Sequence, residues 1–128
     1  MKNILSLPIV LLAAAFALVS GCASPEKIPV EDPLALKNCA AQIAVLRDPY
    51  CPPNSREKYE AAKYIAEHID FSYARNVKTL DKVFLPSEVH ISESGNEFVF
   101  SYPYRENDVQ FRFVRNGDVI ISGTVVER

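Results

Sequence analysis

The sequence predicts an α+β domain in which two N-terminal helices pack on one face of a four-stranded antiparallel β-meander. Three observations carry this. Between Leu36 and Ile69 apolar residues recur at three- and four-residue steps, the spacing of a helix face. From Val89 onward they alternate with polar residues, the spacing of a half-buried strand. Asn116-Gly117 then marks a hairpin between two such runs. Amphipathic helices and a one-sided sheet each need a surface to bury against, and each supplies the other's.

The first helix begins at Asp32-Pro33, a capping acid followed by proline at the first helical position. Leu36, Cys39, Ile43 and Leu46 form its stripe, and Asp48-Pro49 ends it. Tyr50-Cys51-Pro52-Pro53 cannot be helical. The second helix begins at Asn54, with Glu57 placed as in a capping box. Its stripe is Tyr59, Ala62, Ala66, Ile69 and Tyr73, and Asn76 is a C-cap. Arg56, Glu60, Lys63 and Glu67 make a solvated charged face with i, i+4 pairs. Tyr64, His68 and Phe71 lie off the stripe, so they are either covered by the first helix or exposed as a contact patch.

Residues 77–86 are ambiguous between a short strand and a buried connector. The strands follow. Val89 and Ile91 alternate with His90 and Ser92, and Ser94-Gly95-Asn96 turns the chain. Phe98, Phe100, Tyr102 and Tyr104 lie on one face of the next strand, and Val109, Phe111 and Phe113 on one face of the strand after it. For the last hairpin, a loop with Gly117 as a left-handed bulge pairs Phe113 with Val119 and Phe111 with Ile121. This register puts phenylalanines and aliphatics on one face. The reverse face holds His90, Ser92, Ser101, Gln110, Arg112, Ser122 and Thr124.

Ahead of the domain, Lys2 is followed by a mostly apolar run from Ile4 to Val19. The run is shorter than the ~20 residues a spanning helix needs and ends in small residues, the layout of a secretory signal. Leu18-Val19-Ser20-Gly21-Cys22 resembles the lipobox of bacterial lipoproteins. The resemblance covers the signal and anchor alone. It implies cleavage after residue 21 and lipidation of Cys22, with two or more acyl chains giving stable membrane attachment. By the family's sorting rule, Ala23 and Ser24 after the cysteine imply the outer membrane, with the domain in the periplasm or at the cell surface. Residues 22–32, with two prolines and four charges between Ala23 and Asp32, read as a lipidated tether. Residues 33–128 are then a single domain. Its element order is similar to that of small outer-membrane assembly lipoproteins, a likeness of architecture alone.

Of the 14 Lys and Arg and 16 Asp and Glu, only Lys2 lies in the signal-like segment, so the remainder is mildly acidic. Such a surface does not attract nucleic acid. In the oxidising compartment that export implies, Cys39 and Cys51 are expected to form a disulfide. Its short loop is worth ~3 kcal/mol in the chain-entropy model. A two-thiolate metal site is the other use of such a pair, but neither His68 nor His90 has ligand spacing to the cysteines.

No constellation for catalysis assembles from these residues. The two histidines are far apart in sequence, the serines lack a nucleophile-elbow setting, and the four glycines form no phosphate loop. No enzyme activity, cofactor or metal is expected. Two binding readings remain. In the first, the domain binds another protein as an assembly or secretion accessory, an inhibitor or an immunity-type factor. Tyr50, Tyr104 and Arg105 are residue types that anchor interfaces, and Tyr64 and Phe71 join them if exposed. Thr124, facing outward within Ile120–Val126, a stretch of the last strand without charge or proline, marks an edge to which a partner or a second copy could add. In the second, Phe98, Phe100, Tyr102, Phe111 and Phe113 line a hollow for a small apolar ligand between sheet and helices.

Overall fold

The computed structural model describes residues 26–128. The signal-like segment and Cys22 lie outside the described residues. The fold is mixed α+β, with helices and a four-stranded antiparallel sheet.

The chain enters the fold earlier than expected. Ile28–Pro29 forms a short strand, β1, which pairs in parallel with Ile69–Asp70, β2. Val30 is fully buried, and its N–H donates to the Asp70 carbonyl at 3.1 Å. The stretch read as tether up to residue 32 therefore gives its last residues to the domain. The cause is the apolar triplet Ile28-Pro29-Val30, which leaves water when a surface is offered to it.

Helix α1 (Pro33–Asn38) starts as predicted, the Asp32 carboxylate accepting the Leu34 N–H at 2.9 Å. The expected single helix is jointed at Cys39, where φ −104° and ψ 13° close α1, and α2 (Ala40–Leu46) follows at once. The Ile43 N–H still reaches the Cys39 carbonyl at 2.8 Å, so helical bonding crosses the joint. Ala35, Cys39, Ile43 and Leu46 are buried.

Helix α3 (Arg56–His68) is capped by Ser55 rather than Asn54, the hydroxyl accepting the Lys58 N–H at 3.3 Å. It ends at His68, well short of Asn76. Ile69 and Asp70 must extend to pair with β1. The Asp70 carboxylate then accepts the Ser72 N–H at 3.0 Å and starts a 3-10 turn over Phe71–Tyr73. Asn76 is not a C-cap; it is the N-cap of α4 (Val77–Leu80), accepting the Thr79 N–H at 3.0 Å. The buried stripe of α3 is correspondingly rotated. It holds Lys58, Ala61, Ala62, Ile65 and Ala66, while Tyr59 is half-buried and Tyr73 has left the helix and is exposed.

Val83 and Phe84 are fully buried in a connector, not a strand. A 3-10 turn at Pro86–Glu88 leads into β3 (Val89–Ile91), β4 (Glu97–Tyr104), β5 (Asn107–Asn116) and β6 (Val119–Glu127). These four pair in sequence order as an antiparallel meander. Phe98, Phe100, Tyr102, Val109, Phe111 and Phe113 are all buried, as their alternation predicts. Phe71 and Phe84 come down onto them. Phe84 stacks on Phe100 at 4.0 Å, and Phe71 stands edge-on to Phe111 at 5.2 Å and to Phe113 at 5.8 Å. Helix α3 touches β4 and β5, and α2 packs on α3. Arg47, at the end of α2, donates to the carbonyls of Phe84 (2.9 Å) and Asp81.

The register of the last hairpin differs from the one predicted. Phe113 faces Gly123, not Val119, and Phe111 faces Val125, not Ile121. Two features shift it. The two turn residues are Gly117 and Asp118, with Asn116 opposite Val119, and Gly117 takes the positive φ of 62° that such a tight turn requires at its first position. Ile121 is then an extra residue, because Val114 faces Ser122 while Arg115 faces Ile120. The bulge turns Ile120 inward, 4% exposed, and Ile121 outward, 64% exposed. The edge of β6 is also covered at its start. Val77 N–H donates to the Asp118 carbonyl at 3.0 Å, and Ile120 N–H to the Arg75 carbonyl at 3.1 Å.

Candidate functional site

An open groove lies between α2 and α3. The two helices pack on each other, and Ile43 and Leu46 of α2 and Ala62 and Ile65 of α3 are buried, leaving the outer faces splayed. The splayed faces form an open groove of about 340 Å³, lined by Ala41, Gln42 and Val45 from α2 and by Glu57, Glu60, Ala61 and Tyr64 from α3. Its floor is small and apolar and its α3 rim is acidic. Glu60 also accepts Arg56 Nε at 2.9 Å. That bond and Glu60's charge hold the Arg56 guanidinium protonated even more firmly than usual. Tyr64 is fixed in place from behind. The His68 ring stacks on it at 3.9 Å, and His68 Nδ1 lies 2.7 Å from the Tyr64 carbonyl.

On the other flank of α3, Tyr59 meets Tyr104 with ring centroids 5.7 Å apart, and the Arg105 guanidinium lies over the Tyr104 ring at 5.2 Å. Arg105 has φ 56°, the left-handed region, at the first position of the β4–β5 turn. A little further along, Lys63 Nζ lies 3.4 Å from Glu127 of β6, and that carboxylate raises the proton affinity of Lys63.

The predicted contact residues therefore separate into groups. Tyr64, Tyr104 and Arg105 gather along α3. Tyr50 is 92% exposed in the loop before it, its N–H bonded to the Asp48 carboxylate at 2.9 Å. Phe71 is no surface residue; it is 2% exposed because the helix ends before it and the 3-10 turn drives it into the aromatic core. Thr124 is exposed opposite Arg112 on the reverse face of the sheet, away from the groove. Cys39 and Cys51 stand unbridged here. Burial pushes the Cys39 thiol up, and Cys51 Sγ lies 3.2 Å from Ser55 Oγ.

One cluster was not anticipated. Lys58 is fully buried and forms an ion pair with Glu88, which is itself nearly buried. Tyr102, fully buried on β4, lies beside them. Burial first, then the Glu88 charge, push its phenol well above the ordinary value. A hydrogen bond between the Tyr102 hydroxyl and Glu88 adds to that push. The signal for this cluster is that Lys58 precedes Ala62 and Ile65 by four and seven residues, on the buried stripe. In the groove, Ala41 and Val45 share one face of α2, away from Ile43.

Among the described residues no three His, Cys, Asp or Glu side chains converge as a metal site would, and no helix is long and apolar enough to cross a membrane. No family model matches this chain, and neither a curated protein nor a solved structure matches it.

Proposed function

We propose that this chain is a small lipid-anchored protein of the outer membrane whose domain binds another protein along the α2–α3 groove. The observation that carries the binding half is the groove, an apolar floor at Val45 and Ala61 with Glu57 and Glu60 on its rim. Such a surface suits a partner segment that presents an apolar side chain to the floor and a cation to the carboxylates. Tyr104 and Arg105 extend the contact along the far flank of α3. The helices form a layer over the aromatic face of the sheet and turn the groove outward. The anchor half rests on Leu18 to Cys22 and their lipobox resemblance, with Ala23 and Ser24 directing the protein to the outer membrane. In that compartment the Cys39–Cys51 bridge belongs to the reading.

Two observations favour the groove over the other surfaces weighed. Arg75 to Val77 already occupy the start of the β6 edge, and Ile121 bulges from it, so addition by a partner or a second copy would be confined to the strand from Ser122 onward. Phe71 and Phe84 stack into the space between sheet and helices that a small apolar ligand would take.

The test has one arm for each half. Cells fed labelled palmitate should label the wild-type protein in the membrane fraction and leave Cys22→Ser unlabelled; an unlabelled wild-type protein rejects the anchor. A partner co-purified from solubilised membranes should be lost when Glu57→Lys and Glu60→Lys are combined. Undiminished capture by that folded variant moves the contact off the groove.

A further inference from the structure

We propose that the flank of the domain carrying Tyr73, Val119 and Ile121 seats on the bilayer that holds the lipid anchor, so that the domain lies against its own membrane. This seating depends on the acylation of Cys22 read above. Tyr73 is 48% exposed, Val119 55% and Ile121 64%. The backbone brings the three together. The Arg75 carbonyl accepts the Ile120 N–H at 3.1 Å, Asn76 bridges to Val119, and the Val77 N–H donates to the Asp118 carbonyl at 3.0 Å. Tyr73 stands two residues before Arg75, and Val119 and Ile121 stand on either side of Ile120. Ile120 turns into the core, 4% exposed, which leaves its two neighbours facing water.

The same place receives the N-terminal strand. β1 pairs with Ile69–Asp70, and the Arg75 N–H donates to the Glu31 carboxylate at 2.8 Å. Arg75 thus bonds both to the N-terminal segment and to β6, which sets the two roughly 10 Å apart, about two strand spacings. Only residues 22–27 lie between Cys22 and the start of β1 at Ile28. A chain of that length reaches at most about 20 Å when fully extended. A domain of about 100 residues has a radius of gyration near ~13 Å, so its far side lies about 30 Å off, beyond that reach. The other exposed apolar residues are less well placed. Ile91 sits on β3, the far edge of the meander from β6. Tyr50 precedes α3, whose 13 residues put about 20 Å between its loop and β2.

The chemistry of the flank suits a lipid surface. Its exposed charges balance, Arg75 and Lys78 against Glu31 and Asp118, and half-buried Arg115 stands opposite Ile120. Adhesion is therefore by apolar side chains entering the headgroup layer, and not by the attraction of a basic cluster to anionic lipid. Tyr73 presents a ring with a polar tip, the kind of side chain that sits at a membrane interface. Three such side chains hold weakly when a domain must be captured from solution. A domain already held by acyl chains is at an effective concentration roughly in the millimolar range, where a weak contact is enough. The groove, lined by α2 and by α3 from Glu57 to Tyr64, shares no residue with this contact.

The chain has no tryptophan, so a single introduced one reports its own surroundings. The full chain, purified from membranes, is reconstituted by its own anchor into vesicles of phosphatidylethanolamine and phosphatidylglycerol, with and without bromine on the acyl chains. Bromine quenches tryptophan on contact. Ile121→Trp and Tyr73→Trp should be quenched severalfold more than Tyr50→Trp and His90→Trp. Should one of the first two fail to fold, the other decides. Protein that floats with the vesicles but is quenched equally at all positions, or at none, overturns the seating and leaves the anchor standing. An Ile121→Trp that emits at shorter wavelength without being quenched is covered by protein, a partner or a second copy, and overturns the seating as well. Protein that does not float with the vesicles overturns anchor and seating together.

Discussion

The ring of Phe113 lies directly over Gly123 on the neighbouring strand. A Cβ at position 123 would sit 2.9 Å from Phe113 Cδ1, 3.0 Å from Cε1 and 3.4 Å from the Phe71 carbonyl. The glycine is therefore the floor of the aromatic core. Phe113 cannot swing away, because Phe98 stacks against it at 5.5 Å and Phe71 closes it from above at 5.8 Å. Gly123→Ala should destabilise the domain by about 1–3 kcal/mol, the usual cost of overpacking. Thr124→Ala, one residue along and facing water, should change stability by less than about 0.5 kcal/mol. Denaturant unfolding of the two variants checks the contrast, and equal effects would refute this account of the register.

Phe71 and Tyr64 looked alike in sequence and should behave oppositely. Phe71→Ala removes a ring that touches Phe84, Phe111 and Phe113 and should cost on the order of 3–5 kcal/mol. Tyr64 is 37% exposed and packs on His68, so Tyr64→Ala should cost no more than about 1 kcal/mol and act instead on partner capture. The same unfolding measurement separates them. A small loss at Phe71 would return it to the surface.

This pair also shows how far the sequence could be read. The period-two runs of β4 and β5 made the aromatic face legible, because a strand's side chains alternate whatever surrounds them. The helix ends were less legible. α3 stops at His68 because β1, a segment that looked like tether, pairs with Ile69 and Asp70, and only the assembled fold contains that partner. The β6 register escaped for a similar reason. Asn116-Gly117 signals a hairpin, but the bulge at Ile121 depends on Gly123 fitting under Phe113, a tertiary contact. Along α3, Tyr104 and Arg105 could be singled out by residue type and Tyr64 by its place off the helix stripe. Gln42, Val45 and Glu57 became apparent only when two helices were set side by side. Lys58 was hidden in a charged run that reads as solvated.

Tyr102 should set an alkaline limit on stability. Its folded phenol is held above the ordinary value by burial and by the Glu88 charge, while the unfolded phenol titrates near about 10. Above that pH the unfolded chain has released a proton that the folded chain retains. Its contribution is thus fully present below about pH 10 and is lost as the pH rises further. Unfolding free energy measured across that range should fall in the wild-type protein and fall less steeply in Tyr102→Phe. Parallel slopes would contradict the assignment.

The two thiols of the reduced protein should react at very different rates. Cys39 is 1% exposed and its thiol is pushed up by burial, whereas Cys51 is half-buried beside Ser55. A thiol reagent added to folded, reduced protein should modify Cys51 first and Cys39 only on unfolding. The proposed Cys39–Cys51 bridge predicts that protein recovered from an oxidising compartment without reduction takes up none. Equal modification of both thiols in the folded, reduced state would contradict the burial of Cys39.

The central claim is that a partner seats between α2 and α3, and photo-cross-linking in the native cell tests it most directly. A photoreactive residue is placed in turn at Gln42 and Tyr64 in the groove, and at His90 and Thr124 on the reverse face of the sheet. The account predicts one and the same heavier product from Gln42 and Tyr64, and none from His90 or Thr124. A product formed from the sheet positions and absent from the groove would contradict it.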